Sequence, residues 1–146
     1  MATIITKFDI LSKYLLDAIV DFRVPTGNGI KLALFTNATP PVVTDEEFAD
    51  LAGELVDGTY TAGGLATTAN ALVQTGGSTA WDADDVSFPS LTGTFRYGVL
   101  YLDDTVDGVV KPLIAFILFD DTPADVVLVT TTYNVVWTAS GIIALA

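Results

Sequence analysis

The 146-residue chain contains no cysteine and no histidine. Without cysteine there is no disulfide, no thiolate nucleophile and no zinc-thiolate site, so stability has to come from packing, metal binding or assembly. With histidine missing too, serine triads, papain-like thiol chemistry and zinc hydrolysis lack their parts. Positive charge is scarce: six Lys and Arg stand against 18 Asp and Glu, a net charge of −12 at pH 7. Nucleic-acid affinity comes largely from Lys and Arg displacing counterions, so DNA and RNA are disfavoured as partners. No run reaches the roughly 20 apolar residues that a membrane helix needs, which argues against a membrane partner. The opening stretch ATIITKFDILSKYLL carries Lys7, Asp9 and Lys13 where a signal peptide requires an unbroken apolar segment, so a soluble protein made in the cytoplasm is expected.

Apolar residues are what the chain has in excess. They make up 51% of it, against 16% charged, which leaves little polar material to cover a free surface and predicts that a partner covers part of it. The length suits one domain over residues 1–146, burying roughly 70% of the surface that the unfolded chain exposes. Charge is uneven: the stretch through Lys31 is near neutral at +1, whereas from Leu32 onward Arg96 and Lys111 oppose 15 acids, giving −13.

Phe8, Leu11, Leu15, Ile19 and Phe22 recur at three- and four-residue spacing and predict an amphipathic N-terminal helix over about 6–22, stopped by Pro25 and the turn at 26–29. Alternation then predicts a first strand over 30–36. Thr44 and Glu47 form a T-x-x-E capping box, predicting a short helix through about 52 with Asp45, Glu46 and Glu47 in its first turn, where the helix dipole favours acids. The β region runs over about 30–146, with further strands near 65–74, 85–88, 94–102, 113–119, 126–132, 134–138 and 142–145. Turn signals at 76–77, 103–104, 107–108, 120–123 and 140–141 separate most of them, and such close spacing predicts a mainly β fold, an antiparallel β-sandwich.

In the strand at 94–102, Phe95, Tyr97, Val99 and Tyr101 fall on one face and Arg96, Gly98, Leu100 and Leu102 on the other. Residues 113–119 include no polar side chain, as expected of a central strand covered on both faces. The second cover is either the N-terminal helix or another subunit.

Chemical motifs are few. Glycosidases need only two carboxylates, but no pair here carries a cleft signal, so no enzyme is expected. Asp82, Asp84 and Asp85, and again Asp103, Asp104 and Asp107, offer the oxygen ligands that calcium prefers, yet neither has an EF-hand pattern, and acidic turns are ordinarily just solvated. No metal or cofactor is therefore expected. The run YTAGG at 60–64 lacks the Lys-Ser/Thr of a phosphate loop and precedes a strand, so its glycines serve positive φ or close backbone approach. Trp81 and Trp137 could stack a sugar or base, but packing is the plainer reading. Arg96, alone between Phe95 and Tyr97, is expected to pair with a carboxylate or stack on tyrosine, within its own subunit or across to another. Asn37-Ala38-Thr39 matches a glycosylation sequon without a secretory context.

Read in order, KLALFT (31–36), EF (47–48), YTAGG (60–64), DADDVSF (82–88), FRYGVLY (95–101), PLIAF (112–116) and W-x3-GI (137–142) resemble a family of small tailed-bacteriophage virion proteins. That family often reads KVALVT, HEF, YTAGG, DADDVSW, ARYAVLY, PLI and W-x3-GI. The resemblance covers about 8–146, with Phe88 standing for Trp and Gly98 for Ala. It implies a capsid decoration, or cement, protein: a jelly-roll-like sandwich on the outer surface of the capsid, bridging capsomers as a dimer or trimer. Its partners would be the major capsid protein and its own copies. The first 31 residues carry four of the six basic residues, and the N-terminal helix among them is the candidate for the capsid or neighbour contact; Phe8, Leu11, Leu15, Arg23, Arg96 and Tyr101 are the interface candidates. Two alternatives are a tail or baseplate component, and a carbohydrate-binding module using Trp81, Tyr60 or Tyr101.

Overall fold

Apolar runs, some alternating and some unbroken, shape a little under half of the chain into strands. The computed structural model describes residues 3–145 and is mainly β, with antiparallel pairing throughout. In chain order the elements are β1 (Ile4–Lys7), α1 (Leu11–Leu16), β2 (Ile30–Phe35), a 3-10 turn (Phe48–Asp50), β3 (Leu65–Ala66), β4 (Ala71–Thr75) and β5 (Ser78–Asp82). There follow β6 (Val86–Phe95), β7 (Tyr97–Leu102), β8 (Thr105–Val106), β9 (Val109–Val110), β10 (Leu113–Leu118), β11 (Val126–Val135) and β12 (Ile143–Leu145). A 5-stranded sheet has the order β1-β10-β7-β2-β3; β12-β5-β4 and β11-β6 form smaller sheets, and β8-β9 is a short ribbon. Among the described residues no helix is long and apolar enough to cross a membrane.

The large sheet is buried on both faces, as the apolar runs of β2, β7 and β10 require. On one face Ile30, Leu32, Leu34, Leu100, Leu102 and Ile117 share a single core with Trp81, Phe88, Leu91, Phe95, Val135 and Ile143 of the two smaller sheets. On the other, Ala33, Phe35, Val99, Tyr101 and Leu113 pack with Phe8, Phe48 and Leu51. The second cover is thus supplied by the chain itself, from the long loop after β2 and from Phe8. The Phe48 ring lies 4.3 Å from Tyr101 and 5.8 Å edge-on from Phe35, with the Lys111 ammonium 5.4 Å above it.

The N-terminal segment differs from the helix predicted over 6–22. Ile4 to Lys7 pair with Leu118 to Ala115 of β10, and the helix keeps only Leu11–Leu16. It stops because Ala18 turns left-handed at φ 56°, letting the Ile19 amide reach the Tyr14 carbonyl at 2.8 Å and the Ala18 amide reach Leu15 at 3.3 Å. That is a Schellman closure with alanine in the place where glycine carries no steric penalty. Ala18→Gly is accordingly expected to raise the unfolding free energy by about 0.5–1 kcal/mol, read from the urea midpoint.

The predicted T-x-x-E box is displaced by three residues. Glu47, not Thr44, precedes the short turn, and the Asp50 carboxylate accepts the Glu46 and Glu47 amides, each at 3.0 Å. The strand predicted over 65–74 is two: Thr67 bonds back to the Ile30 carbonyl, Ala69 turns left-handed, and the chain passes from the large sheet to the three-stranded one. The strands predicted over 126–132 and 134–138 merge in one β11 (Val126–Val135), whose register with β6 shifts on either side of the Thr131–Leu91 pair, where Thr130 of β11 and Ser90 of β6 each adopt positive φ.

The strand predicted over 94–102 breaks at Arg96, whose amide bonds to Phe35 and whose carbonyl accepts from Phe119. That break inverts the alternation, so Phe95 enters the larger core while Val99 and Tyr101 face the smaller one. One residue therefore carries the chain from the β11-β6 sheet into the large sheet.

Candidate interaction surface

The run at 60–64 is a structural latch. The Tyr60 hydroxyl accepts the Leu34 amide at 3.0 Å and donates to Glu54 Oε1 at 2.8 Å; the Gly63 amide donates to the same oxygen at 2.5 Å, and the Tyr101 hydroxyl donates to the Gly63 carbonyl at 2.8 Å. Gly64, at φ 75°, lies so close to β2 that an added Cβ would sit 1.9 Å from the Leu32 carbonyl oxygen. Tyr60 and Tyr101 are buried by these contacts, so neither ring offers a face to a sugar. Burial pushes both hydroxyls above the ordinary phenol range, with Glu54 adding to it at Tyr60 and with Asp103 and Glu54 adding to it at Tyr101.

Neither acidic cluster gathers its carboxylates on one point. Asp103, with its side chain 11% exposed, takes Lys31 at 2.7 Å, Asn28 at 3.1 Å and Lys111 at 3.4 Å, tying the start of β2 to the β7–β10 connection. Burial alone would push this carboxyl up, but Lys31, Asn28 and Lys111 together hold it below the ordinary range. Asp84 and Asp85 instead anchor Trp137, whose indole N–H donates to the Asp84 carbonyl at 3.0 Å and whose amide donates to Asp85 at 2.9 Å. Among the described residues no group of three or more acids is arranged to hold a metal ion.

These shifts fix the pH profile. The Glu47 and Glu46 amides lower Asp50, and the Thr122 hydroxyl and amide lower Asp120, as the cations lower Asp103. Stability from these groups is present above the ordinary carboxylate range and is lost as pH falls through the lower folded values. Burial raises Tyr14 to about 12 and lifts Tyr60, Tyr101 and Tyr133 as well, so stability is lost again as pH climbs above the ordinary phenol value near about 10. With no histidine between these limits, the urea midpoint measured against pH is expected to be flat from about pH 5 to about pH 9.

Three of the six interface candidates come together. Phe8, Leu11 and Leu15, with the 89%-exposed Leu16 and with Leu145, line a groove between α1 and β12, although Phe8 and Leu11 are themselves buried in the core. Tyr101 is also internal. Arg96 pairs with Asp125 of its own chain at 2.7 Å, so its charge is answered without a second subunit. Arg23 is exposed and stands apart from the groove lining.

A feature of the surface emerges only once the strands are in place. No charged residue occurs between Asp57 and Asp82, between Asp85 and Arg96, or after Asp125. Those stretches supply β3 to β6, β11 and β12, and only Asp82, at the end of β5, puts a charge into the two smaller sheets. Their exposed side chains include Leu72, Val73, Val127, Val129 and Leu145. The excess acids of the β region belong to its loops, and the gaps between them were countable in the sequence. Compared with protein-family models, with curated proteins and with solved structures, the chain matches none.

Proposed function

We propose that the chain is a structural protein of a tailed-bacteriophage virion, a capsid decoration protein that binds the outer surface of the head and bridges capsomers without chemistry. The observation that carries this reading is the division of the surface: two smaller sheets whose strands hold a single charge, Asp82, beside acidic loops. Such a protein needs contact area, and buried apolar surface contributes about 25 cal/mol per Å². Acidic loops facing solvent would keep decorated particles apart. In this reading the large sheet and the two smaller ones are the layers of a jelly-roll-like sandwich. The groove beside α1 takes the major capsid protein, and copies assemble as dimers or trimers.

The test is to mix the purified protein with expanded heads that lack it and, separately, with isolated tails, and to image both. Density at two-fold or three-fold positions of the shell, and none on tails, is the expected result. Density confined to tails would replace this reading by a tail or baseplate role, and glycan-array binding with no particle binding would replace it by a carbohydrate-binding one.

A further inference from the structure

β4 is the outermost strand of the β12-β5-β4 sheet, and all five of its residues are exposed. It is joined to β5 by the two-residue turn Gly76-Gly77, with Gly76 at φ 61° and Thr75 opposite Ser78. In a hairpin of this kind the flanking pair and every second pair beyond it exchange both ladder bonds, so Val73 and Ala71 bond inward to Ala80 and Asp82. Leu72 and Gln74 then point their N–H and C=O groups outward.

Native sheets blunt an open edge with charge, proline, bulges or brevity. β11 is bent by irregular register, β6 carries Pro89, β1 carries Lys7, and β3 and β12 are short. The stretch Ala-Leu-Val-Gln-Thr of β4 has none of these devices, and its register with β5 is regular.

We propose that β4 pairs antiparallel with β4 of a second copy, about a two-fold axis at Val73, to join two three-stranded sheets into one. Charge selects the occupant. Two copies, each at −12, repel except where neither presents charge, whereas a basic partner would be drawn to the loops. Geometry selects the register. Centred on Val73, all five residues overlap and Leu72 lies opposite the partner's Gln74, so the outward groups meet in about four hydrogen bonds. Val73 then faces the partner's Val73 on the side of the sheet that also carries Ala80 and Ala144.

One strand of ordinary length, about 17 Å, buries less than the roughly 800 Å² per partner of a standard interface, so the dimer is weak in dilute solution and persists where copies are held close together. The pairing uses only this chain's edge and holds whether or not a capsid is involved.

The absence of cysteine makes the test clean. Val73→Cys places single thiols across the axis in a non-hydrogen-bonded pair, with Cα atoms about 4.5 Å apart, within the span of a disulfide. With oxidised glutathione as the oxidant, the Val73→Cys chain is expected to form covalent dimer at least roughly ten-fold faster than the comparably exposed Val127→Cys. In sedimentation equilibrium the parent mass rises toward dimer with concentration. Gln74→Pro, which removes only an outward N–H, keeps the parent circular dichroism and stays monomeric. Equal cross-linking at both positions, faster cross-linking at Val127, or a parent chain that stays monomeric up to about 1 mM would overturn the pairing.

Discussion

Gly64→Ala is expected to lower the unfolding free energy by more than about 4 kcal/mol. The residue sits at φ 75°, and an added Cβ would lie 1.9 Å from the Leu32 oxygen and 2.7 Å from the Ala33 Cα. Both are backbone atoms of β2, which is held between β7 and β3 and has no room to retreat. A clash with fixed backbone plus a left-handed alanine belongs to the rare substitutions costing above about 4 kcal/mol, against a total stability of roughly 5–15 kcal/mol for a domain. Gly63→Ala is the control: its φ is 87°, but its Cβ would meet only the Tyr101 hydroxyl at 3.1 Å, the far end of a side chain. That variant is expected to fold with a loss of about 1–3 kcal/mol. Far-UV circular dichroism through a urea titration separates the two, and a Gly64→Ala chain as stable as Gly63→Ala would refute the close approach of residues 60–64 to β2.

Trp81→Ala should lower the unfolding free energy by about 3–5 kcal/mol. The side chain is 1% exposed, stacks on Phe22 with ring centroids 4.8 Å apart, and donates its indole N–H to Asn70 Oδ1 at 3.1 Å. The same oxygen accepts from the Thr67 hydroxyl at 2.9 Å, so Trp81 also fastens the crossing between β3 and β4. Trp81→Phe keeps much of the packing and drops the hydrogen bond, for an expected loss of about 1–2 kcal/mol plus the smaller ring's lost contacts. The urea midpoints of the pair measure the two contributions. Because Trp81→Ala is a stability variant, its effect on any sugar binding would carry no information about recognition; Trp137, half-buried and tied to Asp84 and Asp85, is the residue on which that reading must be tested.

The central strands were legible because β2, β7 and β10 are apolar on both sides, a pattern that survives small errors of boundary. The helix over 6–22 was overdrawn for a physical reason: Phe8, Leu11, Ile19 and Phe22 are all buried, but the spacing of buried residues reports burial and not the backbone that achieves it. β5 reads Ser-Thr-Ala-Trp-Asp, too small and polar to announce itself, and it is held by neighbours on both sides. The face assignment around Arg96 followed strict alternation and failed at a single residue of irregular backbone. YTAGG stood out as a motif, yet its meaning depended on Leu32 and Leu34, far away in sequence. Gly98 likewise depends on residues distant in sequence, since a Cβ there would come within 2.8 Å of the Phe119 ring and 2.9 Å of a Leu32 methyl. Of the candidate surface, helical spacing groups Phe8, Leu11 and Leu15, which the structure places along the groove by α1, whereas the two nearly uncharged sheets need the strand order before gaps between charges become a surface.

The pairing of β1 with β10 also sets the order in which the molecule can be completed. Ile4 is matched to Leu118, so β1 leaves the ribosome long before its partner strand exists. At about 5–20 residues per second of synthesis, that interval is on the order of ten seconds, far longer than the milliseconds to seconds in which β domains of high contact order fold. β2 and β7 can meet earlier, but the edge of the large sheet stays open until β10 is made. β1 therefore cannot take its place in the sheet until most of the chain has been made.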